Sequence, residues 1–396
     1  MKIAVFHNLP SGGAKRALYG YLDYLDKEGH EVDVFVPSTA NEEFLPLKNV
    51  SHNLEIFPVK KTRKGSLYSS LKYVPPIIKS ISLWDLEKTQ KEIAQAINTA
   101  DYDLVFSEQD QFTMTPFILK YLQKPTIYYC PQPPRNEAIL EAISQRKRKI
   151  NPLKRLVFNY ADNKDLKLDK DNITHAKYIL TNSYFTRESI LRLYGLNSYV
   201  SYLGIDTDLF KPQEVDEENF VLSVGSCRPS KGYDFLTRSL ALIDSEIRPK
   251  LVIVSNLSEP GWEEYLQNLA SDLKVDLDIL SLIDDEELVS LYNKAKLVLY
   301  APYLEPFGLV PLEAMGCGTP VVAVKEGGVR ETVIHQKTGL HTERDELLFA
   351  EATLELLADD EKRNQMSING IKSVKRYWTL KHAGDRLSWH LNRLVD

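Results

Sequence analysis

Short apolar runs recur along the chain, separated by stretches with helical spacing. In the first half they are KIAVFHN, HEVDVFV, NLEIFPV, YDLVFSE, PTIYYC and AKYILTNS. In the second half they are NFVLSVG, KLVIVSN, VDLDIL, KLVLYAP and TPVVAV. Many are rich in Val, Ile and Tyr and bounded by Gly, Pro, Asn or Ser. Several are continuous rather than alternating, the pattern of strands covered on both faces in a parallel sheet. Between them, AKRALYGYLDYLDKEG and DEELVSLYNKA carry apolar residues near helical spacing, and the first runs into Gly29, a position suited to a helix C-cap. Alternating strand and helix is an α/β signature.

The alternation occurs twice. NFVLSVG opens a second series much as KIAVFHN opens the first, and the polar, acidic segment DTDLFKPQEVDEEN lies between them. The expected fold is therefore α/β: two Rossmann-like doubly wound domains facing across a cleft, with a linker at 206–218. The expected boundaries are 1–205, 206–375 and a terminal helix at 376–396. Sheets of this kind bind ligands beyond the carboxyl ends of their strands, so the loops there are the ones to inspect.

Three such loops carry candidate chemistry. In LPSGGAKRA, Gly12 and Gly13 allow a tight turn that exposes amides at a helix start. The segment matches neither the phosphate loop nor the dinucleotide fingerprint, and a plain structural turn explains it equally well. In VGSCRPSKGYDFL, Arg228 and Lys231 place fixed positive charge near a helix start, the combination a diphosphate needs. In EPFGLVPLEAMGCGTPVVAV, Pro306 and Gly308 break regular structure, leaving Glu305 on a loop and Glu313 in a short helix. Eight positions across a bend do not make a stacked helical pair. Each carboxylate can instead accept from adjacent sugar hydroxyls, with the amides of Gly308, Leu309 and Val310 available to phosphate between them. A first-turn glutamate serving the helix dipole explains Glu313 alone and leaves Glu305 unexplained.

Composition narrows the class. With 396 residues, 43% of them hydrophobic, the chain can bury two cores. A net charge of −6 argues against a general nucleic-acid binder. Cys130, Cys227 and Cys317 form neither a zinc spacing nor a disulfide framework, which points to a reducing compartment. No run of about 20 apolar residues exists to span a bilayer, and the start lacks a signal peptide's apolar region. The expected location is cytoplasmic. Two basic clusters stand out: Lys60, Lys61, Arg63, Lys64, Lys72 and Lys79, interleaved with Tyr68, Tyr73 and Trp84, and a second from Arg146 to Arg155. They suit anionic headgroups at an inner membrane face, or an acceptor's phosphate, and solvated loops explain them equally well. Asp276 and Asp278 imitate a metal-binding DxD, but alternate positions of a strand read better as a solvated face. The scattered His7, His30, His175 and His335 make no zinc site, so no metal is expected.

EPFGLVPLEAMGCGTPVVAV resembles the hallmark of the large family of retaining GT-B glycosyltransferases (family 4, or glycosyl transferases group 1), a glutamate followed after seven residues by a second glutamate. The resemblance extends over most of the chain, through the GG turn, TNS at 181–183, YLGIDTDLF, VGSCRPSKG and GGVRETVIHQKTGL. It implies transfer of a hexose-type sugar from a nucleotide-diphosphate sugar, a co-substrate rather than a cofactor, to a saccharide or lipid-linked hydroxyl acceptor. It puts Glu305 near the transferred sugar, Glu313 on the donor ribose and Lys231 at the diphosphate. Gly308, Leu309 and Val310 line the donor site, Gly12 and Gly13 lie near donor phosphate and acceptor, and the terminal helix returns to the first domain. Two departures matter. Ser226 stands where the family has an arginine, with Arg228 two residues on. In YYCPQPPR, Pro131 replaces a histidine common near the transferred sugar. Gln132, Arg135 and the strand-end His7 are candidate sugar or acceptor contacts, and a plain strand-end histidine explains His7 equally well. The competing class is a nucleotide-sugar binding protein without turnover.

Overall fold

The computed structural model describes residues 1–59, 82–133 and 165–395. They form two compact units, one running through to Tyr202 and completed from Ala383 onward, the other spanning Leu203–His382. The basic clusters at 60–79 and 146–155, and Arg135, lie outside the described residues.

The first unit is a parallel sheet of β1 (Lys2–Asn8), β2 (Glu31–Pro37), β3 (Asn53–Phe57), β4 (Leu104–Asp110), β5 (Thr126–Tyr129), β6 (Tyr178–Thr181) and β7 (Tyr199–Val200). Their order is β3-β2-β1-β4-β5-β6-β7, so the winding reverses between β1 and β4. That reversal opens a crevice at the carboxyl ends of these two strands. β1 is buried from Ile3 to Asn8 without alternation because both of its faces are covered. On one face Ala4, Phe6, Val105 and Ile118 pack with Ile93 and Ile97 of helix α2 (Leu83–Thr99). The Ser82 hydroxyl caps α2 by accepting from the Asp85 amide at 3.1 Å. Helix α1 (Gly13–Lys27) ends in a Schellman motif: His30 N–H reaches Leu25 O, and Gly29, at φ +80°, bonds Asp26 O. Helix α3 (Tyr184–Tyr194) follows β6 and is capped by Ser183.

The second unit carries β8 (Glu218–Val224), β9 (Lys250–Val254), β10 (Leu277–Leu280), β11 (Ala295–Tyr300), β12 (Val321–Val324) and β13 (Gly339–Thr342), all parallel, in the order β10-β9-β8-β11-β12-β13. Its helices include α4 (Tyr233–Ala241), α5 (Trp262–Leu273), α6 (Asp285–Lys294), α7 (Leu309–Cys317), the single turn α8 (Val329–Thr332), α9 (Glu346–Ala358) and α10 (Asp360–Tyr377). α7 is buried from Pro311 to Cys317, which its sequence allows because Glu313 is its only charged residue. Gly370 of α10 lets Met315 of α7 approach closely.

All eleven apolar runs are strands. The eleven runs do not include β7, two residues long, or β13, whose GLHT has a single large apolar residue. The units divide at Tyr202/Leu203 and His382/Ala383, where the sequence reading put 205/206 and 375/376. The cause is a local pairing: Ile205 bonds Trp378 O at 2.8 Å and accepts from Leu380 N–H at 3.0 Å, holding both chain passes in the second unit. The terminal helix α11 (Leu380–Val395) then packs within the first unit. Tyr24 donates to Asp385 at 2.6 Å, and the Tyr178 hydroxyl meets His390 Nδ1 at 2.8 Å. Among the described residues no helix is long and apolar enough to cross a membrane.

Candidate active site

In the second unit three loops at strand carboxyl ends converge. After β8 the chain turns through Gly225, Ser226, Cys227 and Arg228 into a 3-10 turn, Pro229–Lys231. After β11 it passes through 301–308 into α7, and after β12 it passes through Lys325, Glu326 and two glycines. Tyr303 N–H donates to Ser230 O at 2.9 Å and ties the first two loops together. Beside this link Lys231 Nζ meets Glu305 Oε2 at 2.9 Å, with each side chain 18% exposed. At Gly328 the backbone N–H donates to Glu305 O at 2.8 Å. A Cβ there would stand 2.1 Å from Pro306 O, so only glycine allows the approach.

Gly308, at φ +101°, caps α7 without a side-chain acceptor, so the Leu309 and Val310 amides sit in an uncapped first turn. One turn further, Glu313 is 7% exposed and accepts a 2.8 Å hydrogen bond from the Tyr292 hydroxyl of α6. Burial first, and the neighbouring carboxylate second, hold the Tyr292 phenol well above its ordinary 10, so it remains a donor. Tyr292 was not among the residues read from the sequence. The only signal was a tyrosine on the apolar face of a predicted helix, which reads as core.

The structure thus brings Lys231 to Glu305, and Glu313 to the helix whose first turn carries Leu309 and Val310. Arg228 is exposed and has no ion-pair partner among the described residues. Ser226 lies half-buried in the turn before it. Asp276 and Asp278 face Lys250, which reaches Asp278 at 2.5 Å and Asp276 at 3.9 Å; a cross-strand ion pair explains both acids. Among the described residues no group of three or more His, Cys, Asp or Glu side chains is arranged to hold a metal.

In the first unit, Gly12 caps α1 with open space around it. His7, at the end of β1, sits in a buried polar cluster. His7 is fully buried, its Nδ1 accepts from Leu9 N–H at 3.2 Å, and its Nε2 lies 2.9 Å from Glu42 Oε1. With Nδ1 accepting, Nε2 carries the proton and donates to Glu42. Desolvation holds the imidazole down to about 4, so it stays neutral. Lys15 of α1, also fully buried, completes the cluster by pairing with Glu42. At the end of β4, Asp110 accepts from Asn8 at 2.7 Å and from Gln90 at 2.8 Å. Gln109 donates to the backbone oxygen of Gln132 at 2.5 Å, and Gln132 itself is half-buried. All three cysteines are free and buried, and burial raises each thiol.

Residues 11–209 match the model of Glycosyltransferase Family 4, and residues 204–373 match that of Glycosyl transferases group 1. The chain belongs to this glycosyltransferase family. The glycosyltransferase is 25% identical over 321 residues to alpha-1,3/1,6-mannosyltransferase ALG2 of Mus musculus, covering 74% of each chain. It is 35% identical over 164 residues to a D-inositol 3-phosphate glycosyltransferase of Corynebacterium efficiens, covering 40% of this chain and 39% of that one. Sucrose-phosphate synthase from Thermosynechococcus elongatus superposes with a TM-score of 0.73 at 19% identity, over 99% of this chain and 98% of that one. Anabaena HepE, solved with UDP and glucose, gives 0.73 at 19% identity over 99% of both chains. The glycosyltransferase accordingly has the GT-B fold.

Proposed function

We propose that the protein is a retaining transferase that moves a hexose-type sugar from a nucleoside diphosphate sugar to a hydroxyl of a saccharide or lipid-linked acceptor. The observation that carries this reading is the Lys231–Glu305 pair, 2.9 Å apart beside the uncapped first turn of α7. An ammonium, helix amides and two carboxylates are the groups a nucleoside diphosphate sugar requires. In this reading the Leu309 and Val310 amides and the dipole of α7 take phosphate oxygens. Glu313, oriented by Tyr292, accepts from the ribose hydroxyls, and Glu305 accepts from the sugar hydroxyls. Ser226, in the turn between β8 and Lys231, is proposed to contact the diphosphate.

Bond cleavage puts negative charge on the β-phosphate. Lys231, with Arg228 at the rim, stabilises that charge as it develops, and positioned cations contribute most where water is excluded. Glu305 is a positioning carboxylate rather than a covalent nucleophile, because it already balances Lys231. Retention then follows from front-face attack, with the departing phosphate receiving the acceptor's proton. Gln132 and the turn at Gly12 and Gly13 are proposed, on the family resemblance, as contacts for the sugar or the acceptor. Arg135 and the basic clusters are proposed to meet an acceptor phosphate or an anionic membrane surface at the cytoplasmic face.

The test is nucleoside diphosphate release across a panel of nucleoside diphosphate hexoses, with and without saccharide and lipid-linked acceptors, with the product anomer read by NMR. Release that rises with acceptor and a retained anomer support the reading. Tight donor binding without turnover across the panel refutes transfer, and an inverted product refutes retention.

A further inference from the structure

We propose that Arg344 is a positioning residue for Glu305, acting through an ion pair with Glu326 that fixes the loop on both sides of that carboxylate. This rests on the donor-site reading of Glu305. Arg344 lies between β13 and α9. Its Nε donates to Glu326 Oε1 and its Nη2 to Glu326 Oε2, both at 2.8 Å, a fork-on-fork pair. Nη1 also donates to Ala301 O at 2.9 Å, and Nη2 to Pro302 O at 3.0 Å. The guanidinium lies 3.8 Å from the centre of the Tyr303 ring. Four donors and one flat face are thus engaged at once.

The guanidinium also lies 5.3 Å from the centre of the buried Phe235 ring of α4, and each of its hydrogen-bonded partners leads to Glu305. Ala301, Pro302 and Tyr303 are the residues by which the chain arrives there, through Leu304 in the left-handed region at φ +45°. Glu326 opens the segment that flanks it from the other side. A Cβ at the next residue, Gly327, would stand 2.2 Å from Glu305 O, and Gly328 N–H bonds that same oxygen. Arg344 therefore joins the segment entering Glu305 to the segment lying against it. The Tyr303–Ser230 bond extends the same fixation to the residue beside Lys231. Lysine cannot replace this group, because a compact ammonium offers neither the fork nor the flat face. Released from the clamp, the strained backbone at Leu304 relaxes and the Glu305 carboxylate leaves its place opposite Lys231. A displacement of about 1 Å in a positioning group costs on the order of a hundredfold in rate.

The test is a double-mutant cycle in the full chain with Arg344→Ala, Arg344→Lys, Glu305→Gln and the combined variants. It reads kcat, donor KM, and the affinities for the nucleoside diphosphate and for its sugar. The expected result is a kcat loss of at least about tenfold in both Arg344 variants, with nucleoside diphosphate affinity held within about threefold. Added to Glu305→Gln, either substitution should cost almost nothing more, because the two act through one group. A merely structural arginine would lower the melting temperature and weaken nucleoside diphosphate and sugar donor alike, with losses that multiply in the cycle. Multiplying losses, or full kcat in folded Arg344→Lys, overturn the proposal. If Arg344→Ala does not fold, Glu326→Gln carries the same cycle. Full turnover by Glu305→Gln instead overturns the donor-site reading itself, so the two failures are distinguishable.

Discussion

Glu108, in the middle of β4, is 1% exposed, and burial lifts its carboxyl from 4.5 to about 8, opposed only by the Gln109 amide. In the unfolded chain it titrates at its ordinary value. Between the two values the folded protein holds a proton that the unfolded chain has released. The stability carried by the neutral acid is therefore full below 4.5 and is lost as pH rises through 8, at about 1.4 kcal/mol per pH unit. By neutral pH the accumulated loss is roughly 3 kcal/mol. His7 and His341, both held down to about 4 by burial, give the opposite slope, which ends near their ordinary 6.5. Across about pH 6.5 to 8 the difference between wild type and a variant lacking this carboxyl isolates Glu108, because the other histidines and the three buried thiols titrate alike in both proteins. Glu108→Gln keeps the shape and removes the titration. Urea unfolding followed by far-UV circular dichroism across that window should show wild type losing stability with pH. The glutamine variant should lack that loss, so the difference between the two proteins should widen by about 1.5 kcal/mol across the window and reach roughly 4 kcal/mol at its upper end. Equal slopes in the two proteins would refute a neutral buried Glu108.

Tyr292→Phe leaves Glu313 without its buried donor and should raise donor KM by about five- to tenfold, a loss of about 1–1.5 kcal/mol, with kcat little changed in steady-state kinetics. Gly328→Ala forces a Cβ against Pro306 O and should displace Glu305, lowering turnover by at least about a hundredfold, while circular dichroism still reports a folded chain. A maleimide reagent should leave Cys130, Cys227 and Cys317 unmodified in the native protein and label all three in denaturant, read by mass spectrometry.

The sheets were legible because burial on both faces writes itself as continuous apolar runs, as in β1 and β11. β7 and β13 were not, since one is two residues long and the other, GLHT, has a single large apolar residue. Gly29 was legible as a helix stop because few other residues tolerate the left-handed backbone there. Glu305, Glu313 and Lys231 stood out through motif and resemblance, but their geometry did not. Lys231 and Glu305 are 74 positions apart, and only folding reveals that they pair. His7 allows two readings in the sequence, a ligand contact or a plain strand-end histidine, and its position alone does not choose between them. Lys15 and Glu42 bury it, and neither has a local signal. Arg344 and Tyr292 were invisible for the same reason, their partners being brought to them by the second sheet.

In the proposed mechanism the Lys231–Glu305 pair grips the donor's diphosphate and sugar. The most direct measurement is the turnover of a nucleoside diphosphate hexose by Glu305→Gln, beside its affinity for the nucleoside diphosphate alone. Turnover should fall at least about a hundredfold while nucleoside diphosphate affinity stays within about threefold of wild type. Full turnover by Glu305→Gln would rule out a role for this carboxylate in holding the donor sugar.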